Sequence, residues 1–355
     1  MADRGLTRRI AAAIRRAGRD FAHRIDVLIV ELMSVVWWAQ DAVVRVVVEA
    51  LLPRRGETTL TWQWAAQQRL NDAAPAIAAA AVIGDDAMAG LADVVRRAGI
   101  DSGMPDPGDL PNVRTAREQW RYGIQGLTDN ARRALRDAHA AMAAGEATLE
   151  QATRSAAKRM IDDGVHVLHD KRGRRWQPAT YTETVLRTEA QAAHTRSSLA
   201  AAADAGTPYV VVSDAHRECP ACRPWEGRVL RVDGATDDVA GATLDEARAA
   251  GLMHPNCRHA VYGWWAEYDD LPAPGQPDPD GYRASQQQRA LERRVRRERL
   301  LADVEASTGG ISPARAQRLK DARAALADHV NIWKANDTLK RNRWREVPRP
   351  GDAPY

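Results

Sequence analysis

Two short pairs of residues constrain this chain more than anything else in it. Cys219-x2-Cys222 lies in HRECPACRPW and His254-x2-Cys257 lies in MHPNCRH, with 31 residues between Cys222 and His254. A two-residue gap lets both members of a pair reach one point from a tight turn. Three thiols and one imidazole then make the closed tetrahedral set that structural zinc takes, with no position left open for catalysis. If Cys219, Cys222, His254 and Cys257 serve one ion, the chain between the pairs must fold back on itself. His259 and His216 are spare donors should His254 point away. The bland alternative is a set of buried or free thiols beside a loop histidine.

Three cysteines cannot close into a disulfide set, and no basic-flanked apolar stretch ends in a small-residue cleavage site, so a reducing intracellular setting is expected. His216-Arg217-Glu218 beside Cys219 looks superficially like the His-x-Glu and Pro-Cys-x-x-Cys pair of zinc deaminases. Here the two halves touch and Pro220 falls inside the cysteine pair, leaving no room for the strand and helix that separate them in that fold.

The segments around the pairs change period. TPYVVVSDAH and GRVLRVDG (227 to 234) read as strands, and HAVYGWWAEY (259 to 268) as a third. TLDEARAAG (243 to 251) reads as a short helix capped by Thr243 and stopped at Gly251. Such a module is too small to hold itself together by burial alone, and a structural metal supplies on the order of 10 kcal/mol to folding.

Elsewhere the pattern is helical. Residues 6 to 52 and 62 to 99 carry Ala, Val, Leu and Arg at helical spacing, with breaks expected at 52 to 59 and around Gly84. DSGMPDPGDLPN (101 to 112) reads as a linker. Helix resumes to about Met160 with a break expected near Gly123 to Gly126, Thr128 capping one segment and Thr148 another. ATYTETVLRTEAQAAHTRSSLAAAADAG is a long helix ending at Gly206. The fold class expected is mainly α, extended and multi-segment, with a small α+β zinc-knuckle-like module. The divisions are 1–100 helical, 101–112 linker, 113–200 helical, 201–268 the cysteine module, 269–282 a Pro/Gly/Asp linker, and 283–355 a basic helical tail.

Within 25 to 52, Asp26, Glu31, Asp41, Arg45 and Glu49 interrupt an apolar stretch, so it reads as a buried or partner-facing helix, and membrane contact is not expected. Trp37 and Trp38 point about 100° apart on a helix. At most one need face a core, and the other can anchor a partner. The chain is +4 overall, yet residues 283–355 hold 17 Lys/Arg against 9 Asp/Glu, so its basicity is C-terminal. Arg289, Arg293, Arg294, Arg296, Arg297 and Arg299 can neutralise DNA phosphates in a salt-dependent way. They suit an acidic protein surface equally, and the interleaved Glu292 and Glu298 also fit a plain solvated helix face.

The motifs in order resemble the tailed-phage minor capsid, or Mu F-like head-morphogenesis, family. GRRW (173 to 176), YTETVLRTEAQAA (181 to 193), VVVSDAHRECPACRPWEGRVL (210 to 230), GLMHPNCRH (251 to 259) and YRASQQQRALERRVRR (282 to 297) carry the likeness, over about 120 to 350. Residues 1 to 110 match nothing in it. The resemblance implies a structural virion protein, present in several copies, in the head interior or near the portal after assembly in the host cytoplasm. Its partners would be the portal protein, the major capsid protein and packaged double-stranded DNA, and it would assist head assembly or DNA packaging and ejection.

The rival reading is a zinc-dependent nucleic-acid-binding protein that uses the 283 to 299 helix. No Ser-His-Asp order, phosphate-cradling glycine loop or His-Glu-x-x-His appears, so enzymatic activity is not expected. Glu183, Arg187 and Glu189 would be the site of a third, enzymatic reading; as they stand they fit ordinary helical ion pairs.

Overall fold

Helix-favouring composition with few aromatic residues produces ten α-helices among the described residues of the computed structural model, which are 4–215, 217–234, 237–266, 269, 275–307, 310–334 and 339. They are α1 (Arg4–Leu51), α2 (Thr59–Asp72), α3 (Ala74–Ala89), α4 (Leu91–Asp101), α5 (Pro111–Ala143), α6 (Leu149–Arg159), α7 (Pro178–Asp204), α8 (Leu244–Ala249), α9 (Pro279–Ser307) and α10 (Pro313–Lys334). Strands β1 (Leu168–His169) and β2 (Arg175–Trp176) form a small hairpin, and β3 (Tyr209–Val212), β4 (Val229–Arg231) and β5 (Val261–Trp264) form a three-stranded sheet. The protein is thus mainly helical with small antiparallel sheets. It divides into two compact units, one built from 1–30, 90–114 and 183–286, the other from 31–89, 115–182 and 287–355.

In the first unit β3 lies between β4 and β5, antiparallel to both. The period-2 alternation of YVVV sorts its side chains. Val210 and Val212 join Leu230, Val261, Ala202, Leu244 and Ala247 on one face. Val211 joins Val229, Ala240 and Trp264 on the other. Helix α8 begins with the expected cap: Thr243 Oγ1 accepts from the Glu246 backbone N–H while the Glu246 carboxylate accepts from that of Thr243. Helix α7 ends as expected at Gly206, at φ +73 with its N–H on the Ala203 carbonyl.

Helix α1 contributes its residues 31–51 to the core of the second unit. Its stretch Ala11–Leu51 is long and apolar enough to cross a membrane by composition alone. Met33, Val36, Val43, Val44, Val47 and Val48 are nonetheless buried against protein. Arg69 of α2 satisfies the open carbonyls at the end of α1, donating to Ala50 and Leu52 at 3.1 and 3.0 Å, and bridges to Glu57. Gln40 reaches the start of α7, where its Oε1 accepts from the Ala179 N–H at 2.9 Å. Trp37 is buried and Trp38 half-buried.

Two expected helix breaks are absent. Gly84 lies inside α3, and its missing side chain is what lets α5 approach: a Cβ there would stand 2.5 Å from the Trp120 indole. Helix α5 likewise runs unbroken through Gly123 and Gly126, where Cβ atoms would meet Pro178 at 2.5 Å and Val167 at 3.0 Å. Thr128 is accordingly mid-helix, buried, and bonded to the Ile124 carbonyl. The real divisions between α2, α3 and α4 fall at Ala73 and Gly90. Thr148 does cap α6, which ends in a single π-helical turn over Met160–Gly164.

Candidate metal centre

Two tight turns in the first unit bring the cysteine pairs together. In the first, the N–H groups of Cys222 and Arg223 both donate to the Cys219 carbonyl at 3.1 Å; in the second, Cys257 N–H donates to the His254 carbonyl at 2.9 Å. Asn256 takes a left-handed conformation at φ +65, one that asparagine tolerates better than most residues, to close the second turn. Its backbone N–H and side-chain amide are tied to the Thr188 and Thr184 hydroxyls of α7 at 3.3 and 3.1 Å. The 35-residue separation between Cys222 and Cys257 thus closes on a 3.5 Å contact between their sulfurs.

The donors form two overlapping triads. Cys219, Cys222 and His254 place their ligand atoms within 4.8 Å of one another, and so do Cys222, Cys257 and His259. Cys219 Sγ is 2.9 Å from His254 Nε2, and Cys257 Sγ is 3.4 Å from His259 Nδ1. Zinc bonds of about 2.3 Å to sulfur and 2.0 Å to nitrogen set tetrahedral donors roughly 3.3–3.8 Å apart. The Cys222–Cys257 and Cys257–His259 spacings lie in that range and Cys219–His254 is shorter, at hydrogen-bond distance, so the donor set is compatible with an ion. All four residues singled out from the spacing meet here, and His259 joins them as a fifth. His216 lies outside the described residues.

The surroundings orient both histidines as ligands. His254 donates from Nδ1 to the Pro255 carbonyl at 2.8 Å, which turns Nε2 towards sulfur. His259 donates from Nε2 to Glu226 at 2.7 Å, which turns Nδ1 towards Cys257. The Glu226 carboxylate is fully buried and also accepts from the Ala215 N–H and from Arg223 at 3.1 and 2.7 Å. Nothing in the spacing of PWEGR marks Glu226; only the folded position of the sheet reveals it.

Electrostatics polarise the thiols. The Cys222 thiol, donating to Cys257, holds the Cys257 pKa down at about 4 against the opposing effect of burial, with His259 adding to the same end. Cys222 itself is pushed far up, by that hydrogen bond first and by burial next. Burial works against ionisation of Cys219, but the hydrogen bond with His254 prevails and lowers its pKa. His259 is held at about 8, because Cys257 and Glu226 outweigh the effect of its burial. A metal entering such a set displaces protons from the imidazoles and from Cys222.

The other polar residues read from the sequence lie apart from this cluster. Arg187 pairs with Glu183 at 3.1 Å, as i,i+4 spacing suggests, and with Asp26 at 3.6 Å. Glu189 is buried, accepting from Asn112 and lying 3.9 Å from Arg196.

The six α9 arginines singled out from the sequence belong to the second unit and divide by environment. Arg296 is buried with its guanidinium 3.8 Å from the centroid of Trp37, Arg297 is bound to Asp162 and Glu298, and Arg299 is 3.9 Å from Asp303. Arg289 is half-buried, while Arg293 and Arg294 are exposed. Most of the tail beyond Lys334 is outside the described residues.

Residues 108–331, more than half of the chain, match the family model described as phage minor capsid protein 2. No curated protein and no solved structure matches the chain.

Proposed function

Because the chain belongs to the phage minor capsid protein 2 family, and so has a structural role in a virion, we propose that it is a low-copy head component. In this reading it associates with the portal and the inner capsid and assists head assembly or genome packaging and ejection. The observation that carries the reading is the family match, which takes in both the helices from α5 onward and the cysteine module. Cys219, Cys222, Cys257 and a histidine would hold one structural zinc, and the ion would cross-link the two turns of a module whose sheet has only three short strands. The chain's own residues then act by contact: no bond is made or broken.

The alternative, nucleic-acid binding through the 283 to 299 helix, draws less support. Arg296, Arg297 and Arg299 face aromatic or acidic partners within the unit, leaving Arg293 and Arg294 as the exposed pair for phosphate. Quantitative mass spectrometry of purified heads, with crosslinking to portal protein, tests the proposal. It expects the chain in heads at far fewer copies than the major capsid protein and crosslinked to the portal. Absence from heads would overturn it.

A further inference from the structure

The five donors among the described residues of the cysteine module exceed what one tetrahedral ion needs, and both histidines are prepared as ligands. His254 completes one triad and His259 the other, with Cys222 common to both. Each histidine has one nitrogen bound to an acceptor that fixes the ring, the Pro255 carbonyl for His254 and the Glu226 carboxylate for His259. Each has its remaining nitrogen against a thiol sulfur, at 2.9 Å and 3.4 Å respectively. A carboxylate behind a histidine is the arrangement that orients metal-binding imidazoles and strengthens them as donors.

His259 is anchored at the backbone as well. Its N–H donates to Cys257 Sγ at 3.4 Å, and its carbonyl accepts from Gln191 of α7 at 2.7 Å. A buried histidine that served packing alone would have no need of a buried, triply bonded carboxylate on one side and a thiol on the other.

We propose that His259 is a second histidine ligand of this centre, interchangeable with His254, so that either imidazole completes the three-thiolate set around a thiophilic divalent cation. This rests on the reading of the cluster as a metal centre. The consequence is a site that keeps its ion when the more exposed ligand, His254, is drawn away, for example by a partner docking on the HPNC turn. His254 is partly exposed, whereas His259 is buried.

The test uses the full chain loaded with Co2+, whose thiolate charge-transfer and ligand-field bands report the donor set. His254→Ala and His259→Ala should each still bind one Co2+ per chain, with affinity within about tenfold of the wild type because the remaining imidazole takes over. The double variant should lose binding by far more than the product of the two single losses. Wild-type affinity and spectrum in His259→Ala, together with no binding in His254→Ala, would overturn the assignment. So would loss of binding in both single variants with folding intact by circular dichroism.

Because His259→Ala leaves a hole beside Glu226, wild-type protein carrying cadmium-113 and nitrogen-15 histidine gives an independent reading. Two bound populations are expected, one with cadmium coupled to His254 Nε2 and one with cadmium coupled to His259 Nδ1, and coupling to His254 alone would overturn the proposal. A wild-type chain that takes up neither Co2+ nor cadmium would instead remove the metal centre itself, and with it this assignment.

Discussion

Cys222 Sγ lies 3.5 Å from Cys257 Sγ, and Cys222 is common to both donor triads at the centre of the cysteine module. All three cysteines are free thiols. A disulfide needs its sulfurs about 2.05 Å apart, so this pair is a contact held in place, one short movement from a bond.

That proximity sets the consequence of metal removal. After chelation and exposure to hydrogen peroxide, the Cys257 thiolate should attack the peroxide to give a sulfenic acid and hydroxide, and the Cys222 thiol should then displace water to form the disulfide, leaving Cys219 free. The low pKa of Cys257, about 4, makes it the thiolate that reacts first. Peptide mapping without reductant checks this, and the zinc-loaded chain should be protected. A Cys219–Cys222 disulfide as the main product would contradict the arrangement described.

Gly84 and Gly90 offer a matched pair of substitutions. Gly84→Ala places a methyl 2.5 Å from the Trp120 indole, and should cost about 1–3 kcal/mol through displacement of α3 from α5. Gly90 has nothing within 4 Å of its Cβ direction and a right-handed helical backbone, so Gly90→Ala should be neutral or slightly stabilising. Denaturant melts of the two variants separate a glycine kept for close approach from one without that demand.

The same glycines show what could be read before folding. Element type was legible wherever one local signal sufficed: the β-branched YVVV run, the Thr243 and Thr148 caps, the Gly206 stop. Gly84, Gly123 and Gly126 misled because a glycine that breaks a helix and one that admits a neighbouring helix look alike in sequence; Trp120, Pro178 and Val167 tell them apart. At the candidate metal centre, spacing singled out four candidate donors by pairs. It left His259 as a spare and Glu226 unnoticed, since their partnership is made across 33 residues by sheet packing.

Asp41 provides a pH signature. Burial in α1 outweighs the attraction of Arg296, Arg299 and Arg45 and raises its pKa to about 6 from 3.8. A carboxyl with a higher pKa folded than unfolded favours the native state while protonated. Its contribution is complete below about pH 4, declines as pH rises, and is gone above about pH 6. The full difference is about 3 kcal/mol. Asp41→Asn should therefore flatten the fall in stability between pH 4 and 6, read by denaturant melts across that range. An unchanged slope would mean the carboxylate is better compensated than its burial implies.

The α9 arginines should behave as two classes. Arg296→Ala removes a buried guanidinium from the Trp37 ring and should destabilise by about 2 kcal/mol. Arg293→Ala, on the exposed face, should stay within about 0.5 kcal/mol. If the tail touches DNA, reversing Arg293 and Arg294 to Glu should lower the salt dependence of binding by about two in log–log slope without altering the melt.

The most direct test of the account is the metal content of the full chain, purified under reducing conditions and compared with Cys222→Ser by elemental analysis and thermal melting. The account predicts about one zinc per chain, and in the variant loss of both the metal and the cooperative melting of the cysteine module. Fully reduced wild-type protein without metal, melting as Cys222→Ser does, would contradict it and leave the capsid assignment resting on the family match alone.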